Sequence, residues 1–237
     1  MKFEEARQLF ENYVKDFDMN NEKVKYKYDH SYRVADYSLE IANSLDLNED
    51  QIELAHSCGM LHDIGRFVQV TKYNTYHDVD SLDHGDQGYE VLKELGVTND
   101  VILNSTKYHN KREVAEDLTD EEKFFTNLTR DADKIDILFM CNQGVPEDKL
   151  TITDEVMDYF RNHTLTLDKT SDHTEAMHAL RCISFVFDIN FDYSFKIIKD
   201  NNLITDKLNN LLKICDDPRL LEIKDIVLKY IDERVSD

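Results

Sequence analysis

An adjacent histidine and aspartate, His62 and Asp63, are the first residues in this chain whose chemistry suggests a function. An imidazole and a carboxylate brought together form half of a site for a divalent metal ion. Adjacent side chains on a continuous helix point about 100° apart and rarely reach one common point, so such a pair works best where a helix ends. Gly65 follows closely, and glycine favours the left-handed conformation found at many helix ends. We therefore expect a helix to end at this pair, with Gly65 in the left-handed conformation.

Four more ligand-type side chains fall on helix faces that the apolar spacing predicts to be buried: His30, His84, His109 and Asp131. Together with the pair, five successive predicted helices each bring such a side chain inward. A buried, ionised Asp131 would cost several kcal/mol unless it were paired or bound to a metal. One inward histidine is more often a hydrogen-bonded core residue, but five such coincidences in succession indicate a metal site.

Helices must position these residues, because 2 Pro and 6 Gly in 237 residues leave few breaks. Capping patterns mark several helix starts: Asn48 with Gln51, Thr98 or Asn99, and Thr119 with Glu122. The predicted helices of this half cover about 3–17, 28–45, 48–62, 84–95, 99–109 and 119–138. The segment 67–83 has no clear periodicity, so we expect a long loop at the mouth of the site.

After Gly144-Val145-Pro146 the pattern changes to helices without a comparable set of ligands. They are predicted near 154–161, 175–188 and 193–199, and from 205 to the C-terminus. His178 falls here and is expected to be a core histidine and not a metal ligand. We expect an all-α fold and a single domain over 1–237, with the metal-site core at about 24–140 and a C-terminal helical part at about 150–237.

Composition excludes several classes of function. The formal net charge of −21 would repel a nucleic-acid polymer, although it leaves room for a small phosphorylated molecule in a locally basic pocket. The four cysteines are widely spaced and predict reduced, mostly buried thiols. No apolar run is long enough to span a membrane and no signal peptide is evident, so a cytoplasmic location is expected.

In order and local context, these residues resemble the HD-domain superfamily of metal-dependent phosphohydrolases, over about residues 24 to 140. The order His, His-Asp, His, His, Asp resembles its six-ligand, two-metal branch. The short segments around these residues resemble a bacterial subgroup of this superfamily. They are His30-Ser31-Tyr32-Arg33-Val34, Leu61-His62-Asp63-Ile64-Gly65-Arg66-Phe67, Asp83-His84, His109-Asn110-Lys111 and Arg130-Asp131-Ala132-Asp133-Lys134-Ile135-Asp136.

The resemblance implies two divalent transition-metal ions. It places His30, His62, Asp63 and Asp131 on one ion and implies that Asp63 bridges to a second, held by His84 and His109. Two such ions, about 3.5–4 Å apart, lower the pKa of a shared water from 15.7 to around 7 and so supply a hydroxide. Nitrogen and oxygen ligands fit Fe, Mn, Co or Ni, while the four imidazoles make Mg a poorer match.

Nearby cations have two interpretations. Arg66, Lys111 and Lys134 are expected to bind the phosphate of a substrate, with Lys111 and Asp63 also acting in catalysis. Their alternative role is surface pairing with the plentiful carboxylates. In addition, His77 and Asp78 in the predicted loop are alternative ligands to His84, which has the better context.

The expected function is hydrolysis of a phosphate ester of a small molecule, such as a nucleotide or a related compound. Two other functions stay open: a diiron oxygenase of the same fold, and a ligand-sensing module without catalysis. The substrate, the metal and the oligomeric state stay open as well.

Overall fold

A computed structural model describes residues 1–141, 144–166 and 174–235. The described residues form helices and no strand, which confirms the all-α prediction. The helices are α1 (Phe3–Val14), α2 (Glu22–Asn43), α3 (Glu49–Leu61), α4 (Gly65–Tyr73), α5 (His84–Glu94), α6 (Asp100–Tyr108), α7 (Asp120–Met140), α8 (Asp154–Arg161), α9 (Glu175–Ile183), α10 (Asp192–Asp200), α11 (Leu203–Leu211) and α12 (Arg219–Val235), with short 3-10 turns at Asp78–Asp80 and Ser184–Asp188. None of the described helices has the length and apolar character needed to cross a membrane.

The chain forms two compact units, Met1–Asp133 and Lys134–Asp237, and the boundary falls within α7. The first unit contains all six predicted metal ligands, and the second contains the C-terminal helices. The expectation of a single domain stays a prediction.

Side-chain caps explain where helices of the first unit begin. The Asn48 side chain accepts from the backbone N–H of Gln51 at 3.0 Å, and the Gln51 side chain accepts from the N–H of Asn48 at 3.1 Å. Asn99 caps α6 by accepting from Ile102 N–H at 3.2 Å. These starts confirm the capping predictions, because each cap satisfies a backbone donor that has no partner within the helix.

Glycines allow the helices of the first unit to approach closely. A Cβ on Gly59 would lie 2.9 Å from the Ala35 Cα on α2, and one on Gly85 would lie 2.6 Å from the Lys107 carbonyl oxygen on α6. A Cβ on Gly65 would collide with the backbone of His84. These contacts set the spacing of the helices that bear the site residues.

The left-handed conformation expected for Gly65 is wrong, because Gly65 is the first residue of α4. Consequently the long loop expected over 67–83 begins only after Tyr73, where Asn74 takes a left-handed φ of 52°. The buried Phe67 explains the difference, since its ring lies 5.6 Å from that of Phe10 and draws the segment into the core.

In the second unit, the helix predicted over 154–161 is confirmed as α8. The helix expected over 175–188 ends at Ile183 and continues as a 3-10 turn. The helix expected from 205 onward is divided into α11 and α12. Pro218 directly precedes α12, a position that suits proline because the missing N–H would have no helical partner there.

Candidate metal centre

Four buried imidazoles from separate helical segments of the first unit converge. His30 lies within α2, His62 follows α3, His84 is the first residue of α5 and His109 follows α6. All four are at most 5% exposed. Nε2 of His30 is 3.2 Å from Nε2 of His62, and Nε2 of His84 is 3.1 Å from Nε2 of His109. The structure therefore brings together the four histidines that the sequence selected.

Hydrogen bonds at Nδ1 assign the tautomer of three of these rings. His62 and His109 donate from Nδ1 to the carbonyl oxygens of Gly59 and Thr106, each at 2.7 Å. Each acceptor lies in the last turn of a helix, where carbonyl groups lack a helical partner. His84 donates from Nδ1 to Oδ2 of Asp78 at 2.7 Å. In these three neutral rings Nε2 has no proton and presents a lone pair to the centre.

The Asp63 carboxylate lies between the two histidine pairs. Its Oδ2 is 3.4 Å from Nε2 of His30 and 3.8 Å from Nε2 of His62. Its Oδ1 is 3.4 Å from Nε2 of His84 and 3.5 Å from Nε2 of His109. One oxygen thus faces each pair, which is the arrangement a bridging carboxylate needs.

Two cations keep Asp63 ionised. Burial alone would raise the pKa of this carboxyl, but the charges of Lys27 and Arg66 hold its pKa well below the usual range. Lys27 Nζ is 2.6 Å from Oδ2, and Arg66 Nε is 3.3 Å from Oδ1. Lys27 is a site residue that the sequence analysis missed. Its position three residues before His30, on the same side of α2, was the available signal.

The aspartate of α7 that reaches the imidazoles is Asp133, two residues beyond the expected ligand Asp131. Oδ1 of Asp133 is 3.2 Å from Nε2 of His30 and 3.7 Å from Nε2 of His62. Burial would raise the pKa of Asp133, but its close contacts with His30 and His62 hold that pKa well below the usual range. A step of two residues turns a helix by about 200°, so the two carboxylates leave α7 on different sides. Asp131 is also fully buried. Asp133 is a candidate ligand that the sequence analysis missed, and metal binding by Asp131 stays a prediction.

Burial also favours the neutral form of two of these imidazoles, His84 and His62. Loss of hydration, with the nearby Arg66 charge, lowers the pKa of His84 to about 4. Burial likewise lowers the pKa of His62. Neutral imidazole is the form that binds metal, so these ligands are ready at neutral pH without first losing a proton.

The spacing of the donor atoms fits divalent cations. Ligand atoms held about 2.1 Å from a common ion lie about 3.0 Å apart at neighbouring octahedral positions and about 3.4 Å apart in a tetrahedron. The two Nε2 pairs, at 3.2 and 3.1 Å, fall in this range. Among the described residues, ligand groups of the first unit are His30 with His62 and Asp63, Asp63 with His84 and His109, and His62 with His109 and Asp133. The facing lone pairs of His84 and His109, on Nε2 atoms 3.1 Å apart, repel one another unless a cation lies between them.

Asp78 does not replace His84 as a ligand but orients it. The same carboxylate accepts from Arg66 at 3.1 Å, from Gln69 at 2.8 Å and from Asn110 at 3.1 Å. Burial would raise the pKa of Asp78, but the hydrogen bond from His84 holds it far below its usual range. His77, the other alternative ligand, is exposed.

The three predicted substrate-binding cations all contact carboxylates. Arg66 bonds Asp63 and Asp78, as described above. Lys111 Nζ lies 2.5 Å from Asp83 and 3.3 Å from Asp86, with a quarter of its side chain exposed. Lys134, in the second unit, lies 2.8 Å from Asp188. Binding of a substrate by these three stays a prediction.

A comparison with family models matches the HD domain over residues 28–141. No curated protein and no solved structure matches the chain. The matched range contains every side chain that contributes a donor atom to the centre. The match does not distinguish subgroups of the family.

Proposed function

This chain belongs to the HD-domain superfamily, and from that premise we propose that it is a metal-dependent phosphohydrolase acting on a small phosphorylated molecule. The observation that supports this most directly is the Asp63 carboxylate, whose two oxygens face two separate pairs of metal-binding imidazoles. Such a carboxylate suits two adjacent cations, and paired cations are common in enzymes that hydrolyse phosphate esters.

In this proposal one cation is held by His30, His62, Asp63 and Asp133, and the second by Asp63, His84 and His109. When bound, the two cations supply a water of lowered pKa and neutralise charge on phosphoryl oxygens. Nitrogen and oxygen donors with no sulfur suit Mn, Fe, Co or Ni.

The protein's own residues hold this arrangement in place. Lys27 and Arg66 fix and ionise Asp63, and Asp78 fixes the ring of His84. Arg66 is in this proposal a positioning residue, because Nη1 is within 2.7 Å of both Gln69 Oε1 and the Tyr76 carbonyl oxygen.

Lys111 is our candidate for contact with the phosphate. It is partly exposed and follows the ligand His109 by two residues. Lys111 could therefore exchange its carboxylate partners for a phosphate with little change in the buried area of its side chain. A lysine there offsets negative charge on a leaving oxygen.

The test is metal analysis of the purified protein, followed by phosphate release from nucleotides and sugar phosphates with Mn, Fe, Co and Mg. We expect about two Mn, Fe, Co or Ni ions per chain, and phosphate release with at least one substrate class. His84→Ala should lose the second ion and most of the activity. His77→Ala, an exposed histidine of the neighbouring loop, is the matched control and should retain both.

Three outcomes would overturn the proposal. Oxygen-dependent product formation with iron, without phosphate release, would favour the diiron oxygenase. Tight nucleotide binding without turnover under any metal would favour the sensing module. Full activity of His84→Ala would remove the two-metal site.

A further inference from the structure

A second group of ligand-type side chains lies in the second unit, outside the centre described above. Cys141 directly follows α7, and His178 and Cys182 lie four residues apart on α9. The two sulfur atoms are 3.5 Å apart. Nε2 of His178 is 3.7 Å from the sulfur of Cys141 and 3.6 Å from that of Cys182. His178 is therefore not the core histidine that the sequence suggested: it is exposed and lies beside two thiols.

The three distances match the edges of a tetrahedral zinc site. With Zn–S bonds of about 2.3 Å and a Zn–N bond of about 2.0 Å, tetrahedral geometry places two sulfurs about 3.8 Å apart and a sulfur and a nitrogen about 3.5 Å apart. The observed edges of 3.5, 3.7 and 3.6 Å are close to these values. The four-residue spacing on α9 keeps His178 and Cys182 on one side of the helix.

A buried lysine favours the ionised form of these thiols. Lys207 is 2% exposed, and its Nζ makes no hydrogen bond to any of the described residues. Its charge acts on both cysteines and favours their thiolates. A hydrogen bond from the Cys182 thiol is the main cause that lowers the pKa of Cys141, and the same bond, with burial, raises the pKa of Cys182 well above its usual range. One thiolate is thus favoured before an ion binds, and the other thiol loses its proton to the ion. Thiolate is the form that binds metal.

We propose that Cys141, His178 and Cys182 bind one zinc ion, with the fourth position completed by solvent on the exposed side of His178. Each thiol that is still protonated releases its proton when the ion binds, so two Zn–S bonds and one Zn–N bond form without any change of oxidation state. Soft thiolate ligands distinguish this site from the nitrogen and oxygen centre of the first unit. The ion ties the end of α7 to α9 and stabilises the second unit.

The experiment uses the reduced full-length protein, freed of metal by a chelator and titrated with Co²⁺. Thiolate ligation gives a near-ultraviolet charge-transfer band that imidazoles and carboxylates do not give. We expect this band to level off at the intensity of one thiolate-bound Co²⁺ per chain, whatever Co²⁺ binds at the first unit, and to disappear when Zn²⁺ is added. His178→Ala should weaken zinc binding by more than the roughly 100-fold that loss of an outer partner costs. Since His178 is exposed, this variant should keep its helical circular dichroism.

Cys141→Ser should abolish the band, whereas Cys215→Ser, which removes a buried thiol of the same unit, should retain it. His84→Ala should also retain it, so failure of this proposal and failure of the phosphohydrolase proposal can be told apart. Absence of the band in the reduced wild type would overturn the zinc site. So would a purified chain two hydrogens lighter with two fewer titratable thiols, because Cys141 and Cys182 would then be a disulfide pair.

Discussion

Replacing Asp78 by alanine tests whether the second cation depends on the orientation of His84. The Asp78 carboxylate accepts the Nδ1 proton of His84, which leaves Nε2 unprotonated and directed at the centre. Without this acceptor the ring can rotate or carry its proton on Nε2, and either change removes a ligand. The cation between His84 and His109 should therefore bind more weakly, while the one beside His30 should be little affected.

The expected loss of metal affinity in Asp78→Ala follows from the contacts that the substitution removes. Outer partners of metal-binding histidines are typically worth 10–100-fold in affinity, which is about 1.4–2.7 kcal/mol. Asp78 also accepts from Arg66, Gln69 and Asn110, so the substitution leaves three further donors without this acceptor. We expect a loss near the upper end of that range. Asp78→Asn keeps an acceptor oxygen but no charge, so its affinity for the second cation should lie between those of the wild type and Asp78→Ala.

Calorimetric titration of the metal-free protein with Mn²⁺, which binds poorly to thiolates, measures both affinities of this centre. Asp80→Ala is the matched control, because this exposed aspartate lies in the same 3-10 turn. Retention of both ions by Asp78→Ala within about threefold of wild type would refute the reasoning, given the 10–100-fold expected. An equal loss in Asp80→Ala would show that the turn, and not the carboxylate, is responsible.

Three further predictions concern the ligands and the fold. Asp133→Asn should lower metal affinity at least about tenfold and Asp131→Asn should leave metal stoichiometry unchanged, as measured by the same titration; the reverse result would restore Asp131 as the ligand. The metal-free protein should be less stable at about pH 5 than at about pH 7. His84 alone should account for on the order of 2 kcal/mol of this difference, because the pKa of His84 is about 4 in the folded protein, so the unfolded state binds more protons in that range. Urea unfolding at both pH values measures this, and greater stability in acid would contradict it. Gly65→Ala should cost about 1–3 kcal/mol by overpacking against the next helix. Gly96→Ala, open but left-handed at φ 84°, should cost only about 1 kcal/mol in the same unfolding assay.

Local chemistry explains which helices could be predicted. The start of α3 depends on Asn48 and Gln51, and that of α6 on Asn99, so nearby residues determine both. The start of α4 has no side-chain cap, and its formation depends on burial of Phe67 against Phe10, a contact over 57 positions of the chain. Such a contact leaves no capping signal, so the segment was predicted to be a loop.

The same limit applies to the ligands of the metal centre: local patterns predicted some of them, and contacts between distant parts of the chain determined the rest. Apolar periodicity identified the inward histidines because each one shares a helix face with core residues. It could not separate Asp131 from Asp133, since α7 is buried on several sides: Leu128, Thr129 and Arg130 point about 100° apart in succession and are all buried. On such a helix both carboxylates face protein, and only the position of His30 decides which one can reach the centre. Choosing the ligand required the rotation of α7 relative to α2, which depends on contacts between distant parts of the chain.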